Sequence, residues 1–203
     1  MTLRIISLTA LALIALGTTI GVATAASPSV KAAPMPRCVA SATASWNVRP
    51  NPDQPPRAGV ANRRFRVEAF SDGPTCQKAV VVFVVRDDRG VVLHHAAYQS
   101  EYVAITKDAR TRTQMQSALS EWVGRGASRD RHENLPNWTA GAPAPVPREF
   151  PFTPEDGITR AAYLTVKTNQ TPLLCYVQGM ESINCLVLRE GTLEPLGIQS
   201  FPG

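Results

Sequence analysis

Apolar positions along this chain fall into three patterns, and each predicts a different kind of element. The densest lies at Ala79–Tyr98 (AVVVFVVRDDRGVVLHHAAY), an apolar run, a polar turn and a second largely apolar run. β-Branched Val80, Val81, Val82, Val84 and Val85 around Phe83 suit a packed, pleated surface, so the stretch predicts a β-hairpin at the centre of a sheet. Both faces of the first run are apolar. Water is therefore expected over neither, and the strand needs a layer on each side or another chain against it. The turn Asp87-Asp88-Arg89-Gly90 puts Gly last, where a type I turn closed by a left-handed residue needs it. On the return strand Val91, Leu93, His95 and Ala97 share one face, and Val92, His94, Ala96 and Tyr98 share the other.

The second pattern has a period of two. In Arg63–Phe70, Phe65, Val67 and Ala69 alternate with Arg64, Arg66 and Glu68, which predicts a half-buried strand. Val39–Val48 is small and β-compatible, and Ala161–Lys167 (AAYLTVK) also reads as a strand. Leu173–Gln178 and Ile183–Arg189 read as a hairpin turning at Gly179–Ser182. A tight turn at Arg189–Thr192 then leads to a short last strand near Leu193–Ser200, interrupted by Pro195.

The third pattern is helical. Met115, Leu119, Trp122 and Val123 recur at helix spacing within Asp108–Val123, with Thr106 or Asp108 as cap and Gly124 as stop. The sum is an α+β fold, an antiparallel sheet of about seven or eight strands with one main helix packed on it. Prolines punctuate the rest. Pro50, Pro52, Pro55 and Pro56 make 49–59 a loop of polyproline character. Six prolines make 124–155 a long loop, and a loop of that length is either functional or a mobile connector. It carries Trp138 and His132 with Arg125, Arg129 and Arg131, and an aromatic among basic residues on a loop is a candidate recognition surface.

The N-terminus changes the compartment. Arg4, an apolar Ile5–Leu16 and the small-x-small Ala23-Thr24-Ala25 form the pattern of a secretory signal over 1–25, and its apolar stretch is short for a retained span. Cleavage there leaves a flexible Ala/Ser/Pro-rich lead-in at 26–37 and one domain at 38–203, with no membrane span. The net charge of +5, lowered by one on loss of Arg4, hints at anionic envelope surfaces. No basic stripe with interleaved aromatics suggests nucleic acid.

Four cysteines bound for an oxidising space predict two disulfides. Cys175 and Cys185 are equidistant from Met180 and would face each other across a symmetric hairpin. Cys38 and Cys76 pair by default. Without CxxC spacing a metal site is not expected.

Catalytic patterns are missing: no GxSxG, SxxK or HExxH, and no Gly-rich phosphate loop, so no cofactor is expected. Adjacent His94 and His95 point to opposite faces and cannot readily share a metal. Asp87 and Asp88 lie roughly 20 Å away along an extended strand. The acidic pairs Asp87-Asp88 and Glu155-Asp156 are expected to be turn residues. The expectation is an exported, periplasmic or secreted, non-enzymatic protein that binds an envelope protein or an anionic envelope ligand through Trp138, Arg125, Arg129 and Arg131. Two alternatives stand beside it. One is an envelope hydrolase using His94 or His95, and the other is a structural protein assembling through edge strands of the C-terminal meander.

Overall fold

The computed structural model describes residues 37–48, 62–129, 132–145 and 151–201. The predicted signal at 1–25, the lead-in as far as residue 36, the proline loop at 49–59 and Arg131 lie outside them. The fold is α+β, but the strands form two antiparallel sheets, not one, and the described residues contain two α-helices.

The first sheet is a meander of β1 (Ala40–Val48), β2 (Arg63–Asp72), β3 (Val80–Arg86) and β4 (Val92–Gln99), paired in that order. β2 keeps the predicted alternation, with Phe65, Val67 and Ala69 buried. The β3–β4 turn is built as its residues require. The Asp87 carboxylate accepts the N–H groups of Val91 (2.8 Å) and Arg89 (3.0 Å), and Gly90 has φ +85°. Burial pushes the Asp87 carboxyl up, but these amides and the Arg89 guanidinium outweigh it and hold the carboxyl below its ordinary value.

The main helix, α1 (Arg112–Val123), starts later than its pattern suggested. Thr111 caps it through a capping box with Gln114. Thr106 is instead buried, its hydroxyl bonded to Ser100 O at 2.9 Å. The predicted stripe of Met115, Leu119, Trp122 and Val123 is the buried face.

The second sheet has the order β5-β7-β8-β9-β6. Its strands are β5 (Ala127–Arg129), β6 (Phe152–Pro154), β7 (Leu173–Val177), β8 (Ser182–Arg189) and β9 (Thr192–Ser200). The 124–155 stretch thus supplies two edge strands and is no structureless connector over its described part. Arg160–Thr168, read as a strand, is a second helix, α2. Thr159 caps it by accepting the Ala162 N–H, and Tyr163 and Val166, one turn apart, are its buried pair. Close pairing of β6 with β9 depends on Gly197, where a Cβ would collide with Thr153 O. Glu190 (φ +49°) and Gly191 (φ +91°) are both left-handed, as a type I′ turn between β8 and β9 demands.

Two apolar clusters hold these layers. Trp46, Phe65, Val67, Phe83 and Val85 of the first sheet meet α1 and one face of the second sheet, including Leu174, Tyr176 and Leu186. The opposite face of the second sheet, with Leu173, Val187 and Leu196, meets Tyr163, Val166, Trp138 and Phe152. β7 and β8 are therefore buried on both faces. β3 is not: Val81, Phe83 and Val85 are fully buried, whereas Val80 on its other face is 38% exposed. Water reaches a face that the sequence suggested would be covered.

Both disulfides pair as predicted, Cys38–Cys76 and Cys175–Cys185, and no described cysteine is free. The second joins directly opposed residues of β7 and β8, with Cα atoms 4.0 Å apart. Two disulfides are what a non-cytoplasmic, oxidising compartment favours. No helix among the described residues is long and apolar enough to cross a membrane. Denatured, non-reduced protein should show no thiol to a labelling reagent. Replacing Cys38 and Cys76 by Ser should cost about 1 kcal/mol more than replacing Cys175 and Cys185, because the loop closed is longer, with a separation of 38 against 10. Urea denaturation of the two double variants checks the order.

Candidate functional site

α2 covers only part of the second sheet's outer face. The uncovered part is the floor of a cleft of about 880 Å³. Cys175, Val177 and Ile183 point into it from one face of the β7–β8 hairpin, since Cys175 pairs with Cys185 and Val177 with Ile183. Phe201 and Gln199 close one end. Backbone and side chains of 124–129 form a wall that includes Arg125 and Arg129. No Asp or Glu is among the described residues that line it.

The two arginines differ in what they do. Arg125 is 89% exposed, with only a long i,i+4 contact to Glu121 at 3.5 Å, so its charge is available to a ligand. Arg129 is anchored. Its Nη2 donates to Val123 O at 2.6 Å, and its Nη1 donates to Ala127 O at 3.0 Å and Gly124 O at 3.2 Å. A helix leaves its last carbonyls without partners, and a cation there satisfies them and opposes the negative end of the helix dipole. Arg129 thus caps α1 and lends the cleft its charge without being free to move.

Trp138, expected at a recognition surface, packs inside. It is 7% exposed, lies edge-on to Tyr163 with ring centroids 5.5 Å apart, and donates its indole N–H to Ala142 O at 2.9 Å. His132 is also buried, with Nε2 hydrogen-bonded to Thr171 O. The cleft therefore brings together Arg125 and Arg129 of the predicted set and leaves Trp138 out. Its apolar floor was missed, although a signal existed: Val177 and Ile183 lie two residues inside the paired cysteines, toward the turn, hence on the same face of the same hairpin.

The histidines separate as strand geometry requires. His95 faces solvent on the outer side of the first sheet. His94 faces inward, with Nε2 2.9 Å from the Tyr176 hydroxyl, which also meets Tyr98 OH at 3.0 Å and Asn184 Nδ2 at 3.3 Å. Burial, reinforced by the neighbouring His95, lowers the His94 pKa from 6.5 to about 4, so its ring is neutral at pH 7. Burial also raises Tyr176 and Tyr98. Neither histidine is hydrogen-bonded to a carboxylate among the described residues, and neither lines the cleft. No group of three or more His, Cys, Asp or Glu that could hold a metal occurs among those residues.

Comparison with models of known families, with curated proteins and with solved structures found no match.

Two measurements separate these roles. Arg129→Ala should destabilise the fold by roughly 2 kcal/mol, since three carbonyls lose a charged donor, whereas Arg125→Ala should leave the denaturation midpoint within error. For His94, the unfolded chain takes up a proton at pH 6.5 and the folded one only near 4. Stability should therefore fall as pH drops through that window and level off below it. The loss is about 1–2 kcal/mol once the partly exposed ring is discounted for solvent. His94→Gln should remove this component from the difference between denaturation curves at pH 7 and pH 4.5.

Proposed function

We propose that this chain is an exported, non-enzymatic protein of the bacterial cell envelope that binds an anionic, partly apolar ligand in the cleft beside β5. The supporting observation is the make-up of that cleft. Two arginines and no described acid surround a floor of Val177 and Ile183, with Phe201 at one end. A volume of about 880 Å³ lies within the usual range for small-molecule sites. A mostly apolar floor with a few polar groups at its rim suits a ligand with an apolar body and one acidic end. Arg125 meets the acid, while Arg129 holds the wall in place and adds to the potential. The chain's net charge of +5 acts in the same direction.

The hydrolase alternative gains no support from His94. Its nitrogen is engaged with Tyr176, and no carboxylate among the described residues is bonded to it. Assembly through the C-terminal meander gains none either, because β5 and β6 already pair with its two sides.

A fluorescent long-chain alkyl carboxylate, with the corresponding alcohol as control, tests the reading. The carboxylate should bind more tightly than the alcohol. Arg125→Glu should weaken its binding about tenfold, the equivalent of 1.4 kcal/mol, without changing the midpoint of unfolding. Ile183→Arg should block both probes by filling the floor. Equal binding of carboxylate and alcohol, or no effect of Arg125→Glu, would show that the cleft is not an anion site.

A further inference from the structure

The two disulfides stand in unlike surroundings. Cys38–Cys76 belongs to the first apolar cluster and does not line the cleft. Cys175–Cys185 lies in the second cluster, on the outer face of the second sheet, and Cys175 lines the cleft. Strand register places this bond in a row that crosses four strands. Ser128 of β5 is opposite Cys175, Cys175 is opposite Cys185, and Cys185 is opposite Gly197 of β9. Directly opposed residues of an antiparallel pair share a face, so Ser128 and Gly197 flank the disulfide at its two ends.

Those ends differ. At Gly197 the row is shut, because the Phe152 ring fills the space that a Cβ on Gly197 would take. At Ser128 it opens into the cleft, whose wall there carries Arg125 and Arg129. Cys175 keeps 6% of its surface exposed, against 1% for Cys185. Thiol–disulfide exchange is a displacement at sulfur, and the attacking thiolate approaches one sulfur in line with the bond that breaks. Because the two cysteines are directly opposed, that line crosses the strands. A thiolate in the cleft reaches Cys175 over the small side chain of Ser128, whereas Phe152 closes the approach to Cys185. The wall it passes presents the exposed Arg125 guanidinium, and no described residue lining the cleft is acidic. A guanidinium favours thiolate over thiol and stabilises the negative charge that the sulfurs share during exchange.

We propose that Cys175–Cys185 is a thiol-exchange site, attacked at Cys175 by a small thiol that also bears an acidic group. The thiolate sulfur bonds to Cys175 Sγ, the bond to Cys185 breaks, and Cys185 leaves with the electron pair and takes a proton from water. A second thiolate then attacks the ligand sulfur of the mixed disulfide, and Cys175 leaves as thiolate. Two thiols are oxidised to one small disulfide, and the protein disulfide is reduced to a dithiol. The exchange is stoichiometric and adds a reaction to the binding of the cleft. Its preference for an acidic thiol rests on the reading of the cleft as an anion site, whereas the choice of Cys175 over Cys185 rests on the row alone.

The test uses the native, oxidised protein with 2-mercaptoethanesulfonate and, in parallel, with neutral 2-mercaptoethanol. Aliquots are quenched in acid, which halts exchange, and mixed disulfides and freed thiols are mapped by mass spectrometry. The mixed disulfide should form on Cys175 and not on Cys185. Cys175–Cys185 should open roughly tenfold faster than Cys38–Cys76, which serves as the clock for global unfolding. The sulfonate should react about tenfold faster than the alcohol, each rate taken relative to that with a neutral alkyl disulfide. Arg125→Glu should abolish this preference yet leave the adduct on Cys175, and Ser128→Val should slow opening by both thiols by narrowing the approach. Opening of the two disulfides at one rate overturns the proposal, because reduction then follows unfolding. So does an adduct on Cys185. Tight binding of the long-chain carboxylate without attack on Cys175 rejects the exchange site and leaves the anion reading standing. Attack on Cys175 with no preference for the sulfonate rejects the acidic ligand and upholds the exchange site.

Discussion

The two sheets are joined at the side chain of Tyr176. Its ring is fully buried and lies against Phe83 of the facing sheet, with centroids 4.1 Å apart and planes within 9°. A buried hydroxyl is costly unless it is hydrogen-bonded, and this one is met by His94 and Tyr98 from β4 and by Asn184 from β8. A phenol has one proton to give and two lone pairs. Asn184 Nδ2 can only donate, so His94 and Tyr98 divide the remaining places, and a neutral imidazole suits that division. Apolar packing alone would allow the sheets to slide. Three polar partners from two sheets fix both separation and rotation. Trp122 adds the helix to the same junction, its indole N–H bonded to Val177 O at 2.7 Å and its ring 5.3 Å from Phe83.

The cleft comes from the same arrangement. Because one face of the β7–β8 hairpin is committed to Tyr176 and its neighbours, the other face must be covered by other parts of the chain. α2 has nine residues, about 13 Å of helix, and its buried Tyr163 and Val166 lie over Leu173 and Val187. The turn end of the hairpin, with Val177 and Ile183, is left open. The stretch that walls it, 124–129, leaves α1 and enters β5 through the carbonyls that Arg129 gathers. A helix-end problem and a binding wall are thus solved by one guanidinium, which is why its neighbour Arg125 is the one free to act on a ligand.

Elements with a strong local period were legible in the sequence. β2 alternates in sequence from Arg64 to Ala69, α1 carries a four-residue apolar stripe, and the symmetric placement of Cys175 and Cys185 about Met180 set the register of β7 and β8. Partition into two sheets was not legible, because no local period tells which strands pair, and the edge strands β5 and β6 were not visible at all. Each is three residues long in a proline-rich segment, too short for any period to show. α2 was mistaken because AAYLTVK alternates as readily as it turns. Thr159 as cap and the Tyr163–Val166 spacing decide it, and tertiary burial of that pair outweighs the β-preference of Val and Thr. The run VVVFVV promised burial on both faces, yet LLCYV has it. Residue type states what a strand tolerates; the number of layers the chain can supply decides what it receives. In the site, Arg125 and Arg129 were named from charge and loop position alone, but Trp138 was not placed, since an aromatic in a proline-rich stretch looks the same whether it anchors the stretch to a core or offers itself to a partner.

The layers also differ in how completely the chain finishes them. The second sheet has α2 and the first cluster on its faces, short blunted strands at both edges and a disulfide between its central strands. The first sheet is pinned at one end by Cys38–Cys76 and along β1 by Gln116, whose side chain bonds the backbone of Ser41, and it ends on β4 with an uncharged edge and an exposed apolar row of Phe70, Val82 and Ala97. Backbone groups on such an edge must exchange with water in an isolated chain, which lowers the local stability of β4. Yet its inner face carries His94 and Tyr98, two of the three groups that satisfy Tyr176. The strand with the weakest outer support therefore bears on the joint that holds both sheets together. Support at that edge would be transmitted directly to the centre of the molecule, through the hydroxyl those two side chains share.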